Sequence, residues 1–425
     1  MKDTFFEIDE RILALGDKAL EKCAPAFARI EKVCEHNQNK VLKAFINNRI
    51  GEQHLVGSTG YGYGDVGRDA LDKVYADALG AQAALVRHNF TCGTQTLGTA
   101  LFGILRPGDV MLSVCGTPYD TIQPVIGISG EGEGMGSLKD FGVTYREVPL
   151  KAGRPDWEEI QNRVRTTEHL KMVYVQRSRG YEARPTLSTE DMERIARITH
   201  ENSQAIVFVD NCYGEFTDFK TPTEVGADLM AGSLIKNPGG GIAKTGGYIA
   251  GRKELVELCA YRATVPGLGA EVGASLGENR AMFMGLFQAP LVTAQALKTA
   301  VFAGALFELL GYEVSPASDE ERYDIIQCIR LGSAKALAAF CAGVQSGAPI
   351  DSYVVPEAWD MPGYDDKVIM AAGAFISGAS IEFSADGPMR EPYCVWMQGG
   401  LNFYSAKTGI LLALQKMKEA GEIEL

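Results

Sequence analysis

Histidine is scarce in this chain of 425 residues: only His36, His54, His88, His169 and His200 occur, and no two are spaced as HxH or HxxxH. A histidine-built metal centre or catalytic triad is therefore a poor reading. The nine cysteines include no CxxC pair, so neither a disulfide framework nor zinc spacing follows, and ordinary buried thiols are expected. Positive charge is also short, with 41 Lys and Arg against 54 Asp and Glu and a formal net charge of −13. That excludes the clustered basic face needed for nucleic acid or an anionic membrane and leaves small molecules as the expected partners. No uncharged apolar run is long enough to span a bilayer, since LVTAQALKTAVFAGALFELLG carries Gln295, Lys298 and Glu308. The first residues, MKDTFFEIDERILALGDKALEK, are charged throughout and hold no signal-like apolar region, so a cytoplasmic protein is expected.

What is present is apolar bulk and alternation. A chain this long with 46% hydrophobic residues exceeds a single core, so two domains are expected. From Arg11 to Asn48 the apolar residues Leu15, Ala19, Cys23, Phe27, Ile30 and Val33 recur near a 3.6 period, which predicts helix in an N-terminal segment 1–55. Over 56–290 the runs AALVRH, DVMLSV, KMVYVQ, AIVFVD and DLMAGS read as strands, with GTQTLGTALFGIL and STEDMERIARITHEN as helices between some of them. Alternating β and α segments imply a mainly parallel sheet with crossover helices. Over 291–425 the pieces YEVSP, DSYVVP, IEFSAD and YCVWMQG read as strands, and ERYDIIQCIRLGSAKALAAFCAGVQ and SAKTGILLALQKMKEA as helices. A smaller α+β domain is expected there. The glycine-rich ISGEGEGMGS reads as a mobile loop.

Three glycine patterns invite a nucleotide reading. Gly62, Gly64 and Gly67 satisfy GxGxxG, but QHLVGSTGY before them is a poor strand. GGGIAKTGG has Ala243 where a P-loop requires glycine before its lysine, and GEGEGMG lacks the spacing altogether.

AGSLIKNPGGG raises a different question, because it sets Lys236 at the edge of an apolar run where a lysine is expensive to desolvate. Asp210 ends the strand AIVFVD. In an open parallel sheet, residues at carboxyl ends of strands converge on one crevice, so Asp210 and Lys236 can share a pocket or form a structural ion pair. FTCGT follows the strand AALVRH and opens a helix, which offers the amides of Gly93 and Thr94 to an anion, with plain capping by Thr94 as the competing role. Ser233 can add a hydroxyl. An amine for a covalent bond, a carboxylate for a ring nitrogen and a phosphate cradle together suit pyridoxal 5′-phosphate: Lys236 would form the Schiff base, Asp210 would keep the ring nitrogen protonated, and Gly93, Thr94 and Ser233 would hold the phosphate.

The order FTCGT, VFVDN, SLIKNPGGG resembles fold-type I pyridoxal-phosphate enzymes of the cystathionine and methionine lyase group. YGYGDVGRDALDKVYADALGAQAALVRHNFTCGTQTLGTALFGILRPGD and VWMQGGLNFYSAKTGILLALQ resemble more closely the methionine gamma-lyase-like family also called aluminium resistance proteins. The resemblance implies an aspartate aminotransferase-like, three-layer large domain, and a carbon–sulfur lyase acting by β- or γ-elimination. It implies Tyr119 as the aromatic stacked on the cofactor ring, Tyr61, Tyr63 and Arg68 as phosphate contacts given to a neighbouring subunit of a homodimer or homotetramer, and Arg390 as the clamp on the substrate carboxylate. Arg177, Ser178 and Arg179 are candidates for the cofactor's phenolate oxygen or for substrate. Better-known lyases carry threonine where this chain has Ile235, and their tyrosine-x-arginine motif is absent in that form. Partial desolvation beside the cofactor is expected to lower the Lys236 pKa so that the amine can act as base. An aminotransferase, an aldolase or decarboxylase, a nucleotide-binding protein and a non-catalytic relative are the competing readings.

Overall fold

A computed structural model describes residues 5–129, 134–182, 184–361 and 366–425. Along the chain come α1 (Glu10–Asn47), α2 (Val66–Ala78), β1 (Ala83–Arg87), α3 (Gly93–Ile104), β2 (Val110–Ser113), α4 (Gln123–Ile126) and β3 (Thr144–Glu147). They are followed by α5 (Trp157–Thr166), β4 (Leu170–Gln176), α6 (Thr189–Asn202), β5 (Ile206–Asp210), β6 (Leu229–Ser233), β7 (Gly247–Gly251), α7 (Lys253–Ala263) and α8 (Asn279–Leu309). The last elements are β8 (Val314–Ser315), β9 (Ile326–Arg330), α9 (Ala334–Ser346), β10 (Val368–Ala371), β11 (Ser384–Pro388), β12 (Cys394–Gln398) and α10 (Phe403–Glu419). Two compact units result, one from His36–Pro290 and one from the residues up to Glu35 with Leu291–Leu425. The N-terminal segment is thus not a separate piece. Its apolar stripe, Ile12, Ala19, Cys23, Ala26 and Ile30, is buried, and a helix with such a stripe needs a core to cover it.

The unit 36–290 is a seven-stranded sheet in the order β1-β7-β6-β5-β4-β2-β3, parallel except for β7, which runs antiparallel to both neighbours. Its central strands are apolar on both faces because helices cover both. Val207 and Val209 of β5 join Leu71 and Val74 of α2 and Ile195 of α6 in one cluster, while Ile206 and Phe208 join Leu97 and Leu101 of α3 and Cys259 of α7 in another. Alternate side chains feeding two cores give the three-layer architecture expected, and each fully buried Val, Ile or Phe contributes about 1.5–3 kcal/mol. Helix α6 starts where a capping box closes it: the Asp191 amide donates to Ser188 Oγ at 3.1 Å and the Ser188 amide to Asp191 Oδ2 at 3.0 Å.

The second unit carries the antiparallel sheet β10-β11-β12-β9-β8 with α9 and α10. These helices approach closely because Gly343 has no Cβ; one placed there would lie 2.3 Å from Ala413 Cα. Three readings of this region change. IIQCIR, expected as helix, is strand β9, paired to β12 and stopped by Gly332 at φ +81 next to the Ser333 cap of α9. DSYVVP is no strand: Asp351 takes φ +54 and turns the chain, leaving Tyr353 and Val355 exposed. In IEFSAD the strand begins only at Ser384, since Glu382 turns inward to accept the Phe375 and Ile376 amides.

Helix α8 is, among the described residues, the one helix long and apolar enough to cross a membrane, and 83% of its most apolar stretch is buried in the protein. Of ISGEGEGMGS, residues 130–133 lie outside the described residues. The rest is held by Asp140, whose carboxylate accepts the amides of Gly134, Gly136 and Ser137. Seven of the nine cysteines are buried and Cys394 is partly so, while Cys92 is exposed at the cap of α3, its Sγ accepting the Gln95 amide at 3.4 Å.

Candidate functional site

The parallel strands end on one edge in register, Gln176 of β4 beside Asp210 of β5 and Asp210 beside Ala231 of β6. Beyond β6 the chain makes a tight turn whose three glycines are each required. A Cβ on Gly239 would lie 1.6 Å from the Leu234 carbonyl oxygen, and Gly240 and Gly241 take φ +56 and +69. The turn delivers Lys236, partly exposed, to the sheet edge, with Nζ 4.1 Å from the centre of the Tyr213 ring. Asn237 Nδ2 donates to the carbonyls of Tyr213 and Glu215, both at 3.0 Å, and so ties the lysine turn to the turn after Asp210.

Asp210 is buried. Its Oδ1 accepts the Cys212 amide at 3.1 Å and its Oδ2 the Tyr174 hydroxyl at 3.5 Å. Burial pushes this carboxyl above the usual carboxylate range, against the pull of Lys236 and the Cys212 amide. For Lys236, burial favours the neutral amine, but its attraction to Cys212 and Tyr213, and less to Asp210 and Glu215, outweighs burial and holds the pKa above the ordinary lysine value. Burial also pushes the thiol of Cys212 up, so the neutral thiol sits beside Asp210.

A group of polar atoms that could cradle an anion lies on the face shared by Asp210 and α3. Ser233 Oγ is buried with no hydrogen-bond partner, an arrangement that costs about 1–3 kcal/mol unless a ligand satisfies it. It faces the start of α3: a Cβ on Gly93 would lie 3.3 Å from Ser233 Cβ and 3.6 Å from Cys212 Sγ, so glycine keeps this space open. Cys92, not Thr94, caps α3, leaving the Thr94 hydroxyl to bond Thr121 Oγ1 at 2.7 Å. Helix amides, a vacant hydroxyl and a glycine cradle fit the phosphate of pyridoxal phosphate, and the buried Asp210 fits its ring nitrogen.

Tyr119 is drawn to the same edge. Its amide donates to Gln176 Oε1 at 2.6 Å, its ring packs on Gly180, and Thr121 two residues on reaches Thr94. Arg177, Arg179 and Arg184 are all buried, so none of the three arginines in RSRGYEAR is a solvated surface charge. Arg177 donates to Asn211 Oδ1 at 3.0 Å and the Gly214 carbonyl at 2.7 Å, and Arg184 to the carbonyls of Gln176 and Ser178. Both build the edge.

Arg68 is bonded to its own chain's loop. It is buried, and its guanidinium donates to Asp69 Oδ1 and to the carbonyls of Gly62, Gly273 and Glu271. It pins the loop 56–66 from within its own chain. Asp65 completes the pin, accepting from Ser58, Ser275, Asn279 and the Arg68 amide. The glycines of GYGDVG serve this loop, with Gly62 and Gly64 at φ +65 and +67, and among the described residues no strand precedes them. Tyr61 and Tyr63, 75% and 64% exposed, stand on its outer side. In GGGIAKTGG, Lys244 pairs with Glu278 at 2.9 Å. Arg390 is exposed and pairs with Asp366 at 2.8 Å, a surface ion pair.

Sequence reasoning missed Tyr213, Glu215, Asn211 and Tyr248. Tyr213 takes φ +70, unusual for a bulky residue, and places its ring against the lysine amine. The one signal was VDNCYGEF itself, polar residues directly after a buried strand.

The model of the methionine gamma-lyase family matches residues 12–418 of this chain. The uncharacterised protein YnbB of Bacillus subtilis (strain 168) is 46% identical over 393 residues, covering 92% of this chain and 93% of that one. A crystal structure of a carbon–sulfur lyase involved in aluminium resistance from Clostridium novyi NT superposes with a TM-score of 0.93 at 51% identity, covering 96% of each chain. The L-methionine gamma-lyase of Fusobacterium nucleatum subsp. nucleatum is 27% identical over 147 residues, 35% of this chain and 33% of that protein.

Proposed function

The chain belongs to the methionine gamma-lyase family and is a pyridoxal 5′-phosphate-dependent carbon–sulfur lyase, and from that premise we propose that Lys236 carries the cofactor and that the substrate is an amino acid with a sulfur substituent on Cβ or Cγ. The observation that supports this most directly is the convergence of Lys236 and Asp210 with an unsatisfied Ser233 hydroxyl at the start of α3. When bound, the cofactor supplies a carbonyl carbon for the amine and a ring that takes up electron density from the substrate's Cα.

The chain's own residues do the rest. Ser233 Oγ and the amides of Gly93 and Thr94 hold the phosphate, standing in for the threonine that Ile235 replaces. Asp210, kept in place by the Cys212 amide and Tyr174, holds the proton on the ring nitrogen. Tyr119, fixed through Gln176, lies against the ring. Once displaced by substrate and deprotonated, the Lys236 amine takes the Cα proton and returns it to the departing group. A thiol leaves, and one water from solvent hydrolyses the remaining unsaturated amine, the water's oxygen becoming the keto oxygen of a 2-oxo acid and the amine nitrogen leaving as ammonia. Tyr61 and Tyr63 serve a second copy of the chain in a cytoplasmic homodimer or homotetramer.

Absorbance spectra before and after borohydride, with mass mapping of the reduced peptide, test the reading. A yellow band that bleaches, with the pyridoxyl mass on Lys236, is the expected result; a colourless protein that takes up no pyridoxal phosphate overturns it. Ammonia released without an amino acceptor separates elimination from transamination, and a Lys236→Ala protein with full activity refutes the scheme.

A further inference from the structure

Two threonine hydroxyls meet beside the anion cradle and have no part in the chemistry above. Thr94 Oγ1, in the first turn of α3, and Thr121 Oγ1, two residues after Tyr119, lie 2.7 Å apart, and either one can donate to the other. Thr94 is half-buried and Thr121 is exposed. Neither hydroxyl is spent on the fold. Cys92 caps α3, and the turn that carries Thr121 is anchored by Ile122, which is 1% exposed and shares a cluster with Leu97 and Leu101 of α3. An exposed hydroxyl pair contributes little to stability, since water serves either group as well.

An anion in the cradle gives the pair a direction. The case for an anion there stands on a separate observation, the buried and unpartnered Ser233 Oγ, 4.0 Å from where a Gly93 Cβ would lie. A hydroxyl has one hydrogen, and phosphate oxygens are strong acceptors. Once the Thr94 hydrogen points to the anion, Thr94 Oγ1 can only accept, and Thr121 becomes the donor. Hydrogen bonds in such a row polarise one another, and one that ends on a charge is about twice as strong as a neutral one. Tyr119 stands at the far end of the row. Its amide donates to Gln176 Oε1 at 2.6 Å, and its ring lies against Gly180, where φ is +56 and a Cβ would fall 3.0 Å from Tyr119 Cδ2. These contacts hold Tyr119 from the side of β4, and Thr121 holds the same turn from the side of α3.

We propose that Thr121 is a positioning residue for Tyr119: through the hydroxyl of Thr94, phosphate at the start of α3 draws the Thr121 hydrogen bond into line and fixes the turn that presents the aromatic ring. The phosphate end of the cofactor thereby sets the surface on which its ring will lie. The inference deepens the reading above and rests on the start of α3 being the phosphate site. It places different demands on the two threonines. Thr94 must both accept and donate, whereas Thr121 needs only to donate, so serine serves at position 121 and valine, of nearly the same shape as threonine, does not.

The test is hydrogen exchange read by mass spectrometry on the full-length, cofactor-free chain with and without inorganic phosphate, which can fill the cradle but has no ring for Tyr119 to meet. Peptides covering 91–97 report on the cradle and those covering 117–127 on the Tyr119 turn. In the wild type phosphate slows exchange in both. In Thr121→Val it still slows exchange at 91–97, while the slowing at 117–127 falls by about 2- to 12-fold, the span that one net hydrogen bond gives. Thr121→Ser keeps the wild-type pattern, and both variants keep Ile122, which anchors the turn. In the protein loaded with pyridoxal phosphate, the circular dichroism of the cofactor band weakens in Thr121→Val at unchanged absorbance and is restored in Thr121→Ser. Equal slowing at 117–127 in the wild type and Thr121→Val overturns the proposal, and so does a wild type in which phosphate leaves 117–127 unchanged. Borohydride fixation on the wild type reports separately on whether Lys236 holds the cofactor at all.

Discussion

Replacing Ser233 with alanine should change the stability of the protein in opposite directions depending on whether cofactor is bound. In the cofactor-free chain Ser233 Oγ is buried and unsatisfied, so its removal relieves a desolvation cost and stabilises that form by about 1 kcal/mol. For a chain of this length that is a rise of only about 1 °C in unfolding midpoint. With pyridoxal phosphate bound, the same hydroxyl donates to a phosphate oxygen, and a hydrogen bond to a charged group contributes about 1.5–3 kcal/mol. Its loss should weaken cofactor binding by roughly 10- to 150-fold. The assay is a cofactor titration by visible absorbance alongside thermal unfolding with and without saturating cofactor. A Ser233→Ala protein that is less stable without cofactor and binds it as tightly as the wild type would refute the reasoning, because the hydroxyl would then be satisfied internally and not reserved for a ligand.

Gly93→Ala places a methyl 3.3 Å from Ser233 Cβ, tighter than neighbours normally allow; cofactor affinity should fall at least tenfold, while the better helix propensity of alanine leaves the cofactor-free midpoint nearly unchanged. The Asp65 carboxyl is opposed by burial, but the hydrogen bonds from Ser275, Ser58, Arg68 and Asn279 outweigh it and hold its pKa well below the usual aspartate range. A depressed acid stabilises the fold above its unfolded value of about 4 and loses that contribution as pH falls, so the stability gap between wild type and Asp65→Asn should narrow steadily below about pH 4 in acid titrations followed by protease cleavage of the 56–66 loop. Arg390→Ala should leave KM within about twofold of the wild type, since an exposed ion pair contributes about 0–1 kcal/mol; a tenfold rise in steady-state assays would restore it as the carboxylate clamp.

Strands β1, β2, β4, β5 and β6 were legible because a strand buried on both faces must be an unbroken apolar run, and helices α3 and α6 because their starts carry local signals. Strand β7 was not: GYIAG is short and bounded by glycines, whose use becomes apparent only when α3 is seen seated on it, with Thr96 where a Gly247 Cβ would be. IIQCIR ran into a helical sequence and was absorbed by it, because so short a run has no period of its own and only pairing to β12 decides. Gly93, Asp210, Ser233 and Lys236 could be found from chain order, since the carboxyl-edge rule needs only the strands. The bonds of Arg68 to its own loop were not legible, because a guanidinium in a glycine loop looks the same whether it binds a phosphate or its own loop's carbonyls.

Glu215 and Gly232 show why such residues escape a reading of the sequence. A glutamate in a turn is ordinarily a solvated charge, and a glycine in a strand is ordinarily a weakness. Only together do they make sense: a Cβ on Gly232 would fall 2.4 Å from Glu215 Oε1, so the glycine gives the buried carboxyl its place and the carboxyl gives the glycine its reason. The same strand presents Ser233 to the opposite face and then, one tight turn later, Lys236 to the edge between them. Successive residues of one short segment thus address the buried carboxyl behind the sheet, the cradle in front of it and the open edge, as the period of two requires. A substitution at Gly232 should therefore disturb the packing of Glu215 without touching the cofactor's face, whereas one at Ser233 should disturb the cofactor and leave that packing unchanged.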